Sequence, residues 1–393
     1  MTRLAIFATH PIQYQVPWFQ EMTKTPDLEV KVFYGFVPNA EQQGHGFGVS
    51  FEWDIPMFSG YNWEVLDNYR KEPELGRFFG SRVKNVRSIL KREKPDVVLI
   101  TGWNAFPLLQ VLFVSIWLRI PRLVRGDSNA MKPRASHVRL LHRMLMKAFT
   151  AFLYVGKSNR DFYKGYGVPD KKLFRAPHFI DNKRFSTEAA RLSSSKKIIQ
   201  EGWGVPPGKT SFLYAGKLEL KKRIMDLLNA MKFLSEEHQS VHLLVVGDGE
   251  LMTPARQIEF DEKLPVTFCG FLNQSEMAKA YVAADCLVLP SDYGETWGLV
   301  VNEAMAAGIP AIVSDRVGCG PDLVAQGVTG FQFGFGNVRS LAEAMRKFVT
   351  LSSEERAKMG TNAENRVFEN YSVMAAVDGI NEAIAYACRM HKN

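Results

Sequence analysis

Short apolar, mostly β-branched runs alternate with helix-period segments along almost the whole chain. Runs at 4–9 (LAIFAT), 28–35 (LEVKVFYG), 96–101 (DVVLIT), 122–126 (RLVRG) and 151–156 (AFLYVG) predict strands, and segments near 17–24, 78–93, 105–119 and 136–148 predict helices. The alternation resumes with strands at 211–216, 241–247, 266–270, 286–291 and 310–315, and with helices near 222–233, 249–260, 275–283 and 297–307. Between the two series, 181–210 is polar, Ser-rich and punctuated by Pro and Gly, which predicts a linker or excursion between two domains. Strands that are apolar throughout, each followed by a helix, predict α/β architecture: parallel sheets covered on both faces. The expected division is a domain over 1–183, a second over 184–370, and a C-terminal helix over 371–393 that returns to the first. Two such domains facing each other would form a cleft at the carboxyl ends of their strands, where parallel sheets bind ligands.

Composition adds little to this picture but narrows it. The 393 residues suit two domains, and 46% hydrophobic with 23% charged residues is ordinary for a globular enzyme. The first residues, MTRLAIFATH, open directly on a strand and lack the apolar core and cleavage site of a secretory signal. The most apolar run, PLLQVLFVSIWLRIP, is shorter than the ~20 residues a membrane span needs and is broken by Gln110. Cys269, Cys286, Cys319 and Cys388 show neither metal-type nor redox-type spacing. A cytoplasmic protein is expected, with no metal site.

Charge is unevenly placed. Of a net +8, residues 122–184 hold fifteen lysines and arginines against four acids. Such a region could face phosphate-bearing substrates, an anionic membrane or nucleic acid, or form a solvated face. On a helix starting near Ser136, Arg139, Arg143 and Lys147 fall four residues apart, with Val138, Leu141, Leu145 and Met146 on another side. Peripheral contact with the inner face of an anionic membrane is one expectation for this helix; packing of its apolar side on the sheet is the other.

The stretch GETWGLVVNEAMAAGIP (294–310) sets the chemical question. It is an apolar helix with Glu303 inside it and Glu295 at its mouth, and it follows a strand directly. Such a helix offers free N–H groups and a positive dipole end to a phosphate. Glu303 could accept both hydrogens of a vicinal diol, or could lie on an exposed strip with Asn302.

The whole stretch GETWGLVVNEAMAAGIPAIVSDRVGCGPDLV resembles the donor-binding signature of retaining glycosyltransferases of family 4. LYAGKLELKKRIMDLLNAM, VVGDGEL, FCGFLNQSEMAKAYVAADCLVLPS and GVTGFQF are similar to further elements of that family, in order, from about Ser211 to Phe335. The resemblance implies a GT-B fold: two Rossmann-like domains, the second binding a nucleotide-sugar, the first an acceptor. It implies a retaining, metal-independent hexosyltransferase moving a glucose-type hexose from a UDP-sugar to a saccharide or lipid-linked acceptor in polysaccharide or glycoconjugate synthesis. No cofactor and no nucleic-acid partner is implied. A GT-B sugar-nucleotide epimerase and a non-catalytic nucleotide-sugar or polyanion-binding module are the competing readings.

By the same resemblance, Glu303 holds the ribose. Glu295 and the backbone of Thr296, Trp297 and Gly298 hold donor-sugar hydroxyls. Gly298, Leu299 and Val300 offer N–H groups to the diphosphate, together with Lys217 and Lys222. Gly216 adjoins Lys217, and Gly270, Phe271 and Leu272 lie beside the base. Two fixed cations and a helix end would stabilise the charge that grows on the leaving diphosphate.

The chain departs from the family at several places. Lys217 replaces an arginine, and Arg223 replaces the glycine after the second lysine. The first strand leads into ATHPIQYQVPWF rather than a Gly-rich loop, which makes His10 a candidate for substrate or phosphate contact. The histidine after a later strand of the first domain is replaced by Gly126 and Asp127 in LVRGDSN, so that Asp127 becomes a candidate, with Arg125 beside it. Trp103 and Asn104 are acceptor-pocket candidates. The Gly-rich stretch 41–54 reads as a mobile loop on the acceptor side, with His45 incidental.

Overall fold

The computed structural model describes residues 1–237 and 240–392. Contacts divide the chain into two units: Met1–Gln43 with Ile55–His178 and the stretch from Val373, and Gly44–Asp54 with Phe179–Ser372.

The first unit holds strands β1 (Thr2–Ala8), β2 (Leu28–Tyr34), β3 (Asn62–Val65), β4 (Val97–Ile100), β5 (Arg122–Arg125), β6 (Ala151–Tyr154) and β7 (Leu173–Arg175). All are parallel, in the order β3-β2-β1-β4-β5-β6-β7, with Leu4 in register with Val30 on one side and Val97 on the other. The interior strands are apolar because helices cover both faces, leaving Ile6, Val32 and Leu99 without exposed surface. The edge strands β3 and β7 are short and partly exposed, and gave no apolar run to read. The helix expected from 78 begins only at Val86, as Val86–Glu93, because the Phe79 ring packs on Phe78 and Phe106 instead of entering it. The helix Val373–Lys392 lies against β6, β7 and the helix Val16–Met22. It comes so close that a Cβ on Gly379 would sit 1.7 Å from the Arg175 carbonyl oxygen.

The second unit holds β8 (Thr210–Ala215), β9 (Val241–Val246), β10 (Val266–Gly270), β11 (Cys286–Leu289), β12 (Ala311–Ser314) and β13 (Gly330–Phe333), parallel and in the order β10-β9-β8-β11-β12-β13. The stretch read as a linker instead carries the helices Asn182–Leu192 and Lys196–Gly202. The first is capped by Asp181, which accepts from the Arg184 N–H, and buries Phe185 and Ala189 at helical spacing. Ser193–Ser195 form the short turn between the two helices.

Each sheet reverses its strand order once, between β1 and β4 and between β8 and β11. Ligands of doubly wound sheets bind at the carboxyl ends of strands flanking such a reversal. In the first unit those ends lead into His10 and Trp103; in the second, into Lys217 and the loop of Glu295.

Candidate functional site

In the second unit, β11 feeds a loop that ends at the helix Leu299–Ala306. Backbone bonds pin this loop: the Glu295 N–H donates to Asp292 O at 3.0 Å, the Gly318 N–H to Glu295 O at 3.0 Å and the Cys319 N–H to Trp297 O at 2.9 Å. The Trp297 ring is buried, and its Nε1–H donates to Asn302 Oδ1 at 2.8 Å. That bond takes Asn302 out of solvent altogether, so Glu303 does not share an exposed strip with it. Trp297 can offer a ligand only its backbone.

Gly298 caps the helix with φ +103°, a left-handed conformation that glycine adopts without strain. A Cβ there would press within 3.0 Å of Leu289. Gly298 has no side chain with which to cap this helix end, and Leu299 and Val300 are partly exposed beside it. The arrangement leaves the first-turn N–H groups and the positive dipole end for an anion.

Glu303 stands one turn further on. Tyr281 donates its hydroxyl hydrogen to Glu303 Oε2 at 2.5 Å. Burial pushes the carboxyl pKa up, while the bond from Tyr281, the charge of Arg184 and a bond from Gln274 pull it down. Arg184 is itself fixed by two bonds to Gln274, at 3.1 Å to its carbonyl and 2.6 Å to its side-chain oxygen. Tyr281, Gln274 and Arg184 do not stand out as site residues in the sequence, because each reaches Glu303 from a distant element.

Lys222 forms an ion pair with Glu295, each side chain 15% exposed. The two residues assigned separately to diphosphate and sugar are therefore each other's partners. Lys222 closes a short turn, Leu220–Lys222, and Arg223 follows with φ +57°. The loop takes the left-handed conformation expected of the family's glycine, and the arginine that adopts it is held bidentately by Asp226, at 2.8 and 2.9 Å.

Lys217, at the end of β8, donates from Nζ to the His45 carbonyl at 2.9 Å and lies 4.3 Å from the Phe47 ring centre. Gly216 precedes it, bonded to Val246 O at 3.0 Å. Gly270, Phe271 and Leu272 follow β10, and the Phe271 ring packs on Phe47 and Phe51. The stretch 44–54, expected on the acceptor side with the first domain, thus belongs with the second unit. Its aromatic residues find apolar partners there, and His45 takes part through its backbone.

In the first unit, the ends of β1, β4 and β5 line a cavity of about 240 Å³. His10, Trp103, Asn104, Arg125 and Asp127 all face it, joined by Tyr14 and His178. Burial lowers the His10 pKa to about 4, so the ring is neutral at neutral pH; it bonds to Thr9 Oγ1 at 2.9 Å. Burial, with the Asp127 charge, pushes Tyr14 up to about 12. Arg125 is buried and donates to Pro177 O at 3.1 Å. The Trp103 ring is stacked on Phe162 at 6.1 Å, which fixes it as a wall of the cavity. His10 and Asp127 are therefore grouped in one unit, and Lys217, Lys222, Glu295 and Glu303 in the other. Tyr14 and His178 are additions that the sequence did not mark. Among the described residues no group of three His, Cys, Asp or Glu side chains could hold a metal ion.

Residues 195–366, within the second unit, match the family Glycosyl transferases group 1. The sulfoquinovosyl transferase of Arabidopsis thaliana is 27% identical over 309 residues, 75% of this chain and 57% of that protein. The chain spans about half the length of the curated relatives it matches. Among solved structures, a glycosyltransferase from Rickettsia africae covers 98% of both chains with a TM-score of 0.74 at 14% identity. Anabaena HepE, in complex with UDP and glucose, covers 98% of this chain and 100% of its own with a TM-score of 0.70 at 15% identity. Two Rossmann-like parallel-sheet units make the architecture GT-B, and residues 195–366 of the second match the glycosyl transferases group 1 family.

Proposed function

We propose that the protein is a retaining, metal-independent hexosyltransferase. It moves a glucose-type hexose from a UDP-sugar to a saccharide or lipid-linked acceptor. The observation that carries this reading is the second unit's cluster at its strand reversal. There a glycine-capped helix end, Glu303 held by Tyr281, and the Lys222–Glu295 pair lie on one loop–helix element and the turn after β8. The family match over residues 195–366 and the UDP complex of the Anabaena neighbour support it.

In this reading Glu303 accepts two hydrogen bonds from the ribose diol. The N–H groups of Gly298, Leu299 and Val300 hold the diphosphate, with Lys222 and Lys217. Glu295 exchanges part of its ion pair for donor-sugar hydroxyls. Gly216 leaves room beside the phosphates, and Gly270, Phe271 and Leu272 flank the base. As the anomeric C–O bond breaks, its electron pair goes to the diphosphate, whose growing charge the cations and helix end stabilise. The acceptor hydroxyl bonds to the anomeric carbon on the face the diphosphate leaves, and its proton passes to a diphosphate oxygen. No protein base is needed. The first unit's cavity, with His10, Asp127, Trp103 and Asn104, receives the acceptor. Neutral His10 serves as a hydrogen-bond partner, not a cation.

The helix Ser136–Met146 supports a peripheral contact with the cytoplasmic face of an anionic membrane. Leu140, Leu141 and Met144 are 59%, 62% and 63% exposed, amid exposed Arg139, Arg143 and Lys147. Only Met146 is fully buried, with Leu145 packed beneath the helix. Leu141, grouped with Val138, Leu145 and Met146 on one side of the helix, faces out. No helix among the described residues is long and apolar enough to cross a membrane.

The test is donor turnover in excess EDTA, followed by NMR of the fresh sugar product. The reading predicts turnover and retention of the anomeric configuration. Turnover that needs magnesium or manganese, or an inverted product, would contradict it.

A further inference from the structure

The stretch 44–54 leaves the first unit's chain after Gln43 and is built into the second unit at both of its ends. At its far end, Asn273 Nδ2 donates to Glu52 O at 2.7 Å and the Ser275 N–H to Asp54 Oδ1 at 3.2 Å. In its middle, Phe47 and Phe51 close on Phe271, with ring centres 5.4 and 4.5 Å from it. At its near end it takes hold of a single cation. The His45 carbonyl accepts from Lys217 Nζ at 2.9 Å, the Phe47 ring lies 4.3 Å from the same nitrogen, and a Cβ on Gly46 would stand 3.0 Å from it.

We propose that this strap positions Lys217 for the leaving diphosphate, with Phe47 as the positioning residue; the proposal rests on the donor-site reading above. A lysine loses much rotamer entropy when its ammonium must sit at one point. A carbonyl takes one of the three N–H groups and an aromatic face accepts the cation from one side, so the remaining N–H groups point elsewhere in a fixed direction. The ring also removes water from the ammonium, which strengthens its attraction for an anion. Gly46 is the residue that permits the approach, since its φ of +81° and its missing side chain leave room for Nζ. The aromatic wall on Phe271 ties the same strap to the strand end assigned to the base. A filled base site and a placed cation are thereby parts of one structure.

The experiment compares wild type, Lys217→Ala, Phe47→Leu, Phe47→Tyr and the Phe47→Leu/Lys217→Ala double variant. Donor hydrolysis gives kcat and KM, and calorimetry gives nucleoside-diphosphate affinity. A cation–π contact of this kind corresponds to roughly 3- to 30-fold. Phe47→Leu is expected to lower kcat by that factor with a smaller change in KM, and Phe47→Tyr to restore it. The double variant is expected to be no slower than Lys217→Ala alone, because Phe47 acts through Lys217. Gly46→Ala, which presses on Nζ while leaving both rings, should lower kcat by an independent route. Wild-type turnover in Phe47→Leu or Gly46→Ala, or losses that multiply in the double variant, would overturn the proposal. If Lys217→Ala itself binds and turns over donor like wild type, the donor-site reading fails instead.

Discussion

Lys222 and Glu295 neutralise each other in a mostly enclosed position, the ammonium and carboxylate in direct contact. A donor's diphosphate and sugar hydroxyls are the natural competitors for these two charges. In the proposed donor site the pair supplies a cation to the diphosphate and an acceptor to the sugar hydroxyls.

Removing one partner leaves the other charge enclosed and uncompensated. Lys222→Met and Glu295→Gln should each destabilise the fold by about 1–3 kcal/mol in denaturant unfolding. The double variant should recover much of that loss yet remain inactive. Additive losses in the double variant would show that the pair does not couple.

Glu303 is held charged against its own burial by Tyr281, Arg184 and Gln274. Its folded pKa lies above the usual carboxylate value. The folded state thus binds the proton more tightly, and stability falls as pH rises from the unfolded pKa through the folded one. Glu303→Gln removes that penalty. It should be no less stable than wild type at neutral pH while losing donor affinity. Tyr281→Phe removes a bond that holds the pKa down, so the acid limb of donor binding should move to higher pH. An unshifted limb would mean that Glu303 does not bind the ligand in its charged form.

His10 is depressed in the opposite sense, from 6.5 to about 4. The unfolded chain binds more protons in that window, so the protein loses stability as pH falls from 6.5 towards 4. His10→Asn should flatten this slope in thermal melts across the same range. His178 and His242 are lowered as well and should leave a residual slope. An unchanged slope in His10→Asn would place His10 in solvent.

Membrane contact predicts co-sedimentation with vesicles containing anionic lipid, weaker at high salt. Reversing Arg139, Arg143 and Lys147 to Glu should release the protein without touching donor binding. Leu141→Ser/Met144→Ser should release it at low salt too, since those side chains stand out into solvent. No sedimentation of wild type at low salt would leave the basic face to serve soluble, phosphate-bearing substrates.

The strand–helix alternation was legible because buried parallel strands must be apolar on both faces, as in CLVL of β11, where every residue is buried. Edge strands such as LFR of β7 lack that constraint and went unread. Glu295 and Glu303 stand out in the sequence because loop, helix end and carboxylate follow one another along the chain, whereas Lys222, from the turn after β8, meets Glu295 only in the fold. Tyr281, Arg184, Tyr14 and His178 do not stand out, because only tertiary packing brings them to their partners. The stretch 44–54 was misplaced for the same reason. Its glycines suggested mobility, whereas the aromatic residues between them pack on Phe271, far away in sequence.

The most direct measurement is calorimetric titration of UDP-glucose and a panel of other nucleotide-sugars onto wild type and Glu303→Gln. Wild type should bind at least one donor, and a folded Glu303→Gln should bind it roughly 10- to 150-fold more weakly, the loss of one or more charge-assisted hydrogen bonds. Equal affinity in the two proteins, or no binding of any nucleotide-sugar by wild type, would contradict the assignment of the donor site to the second unit.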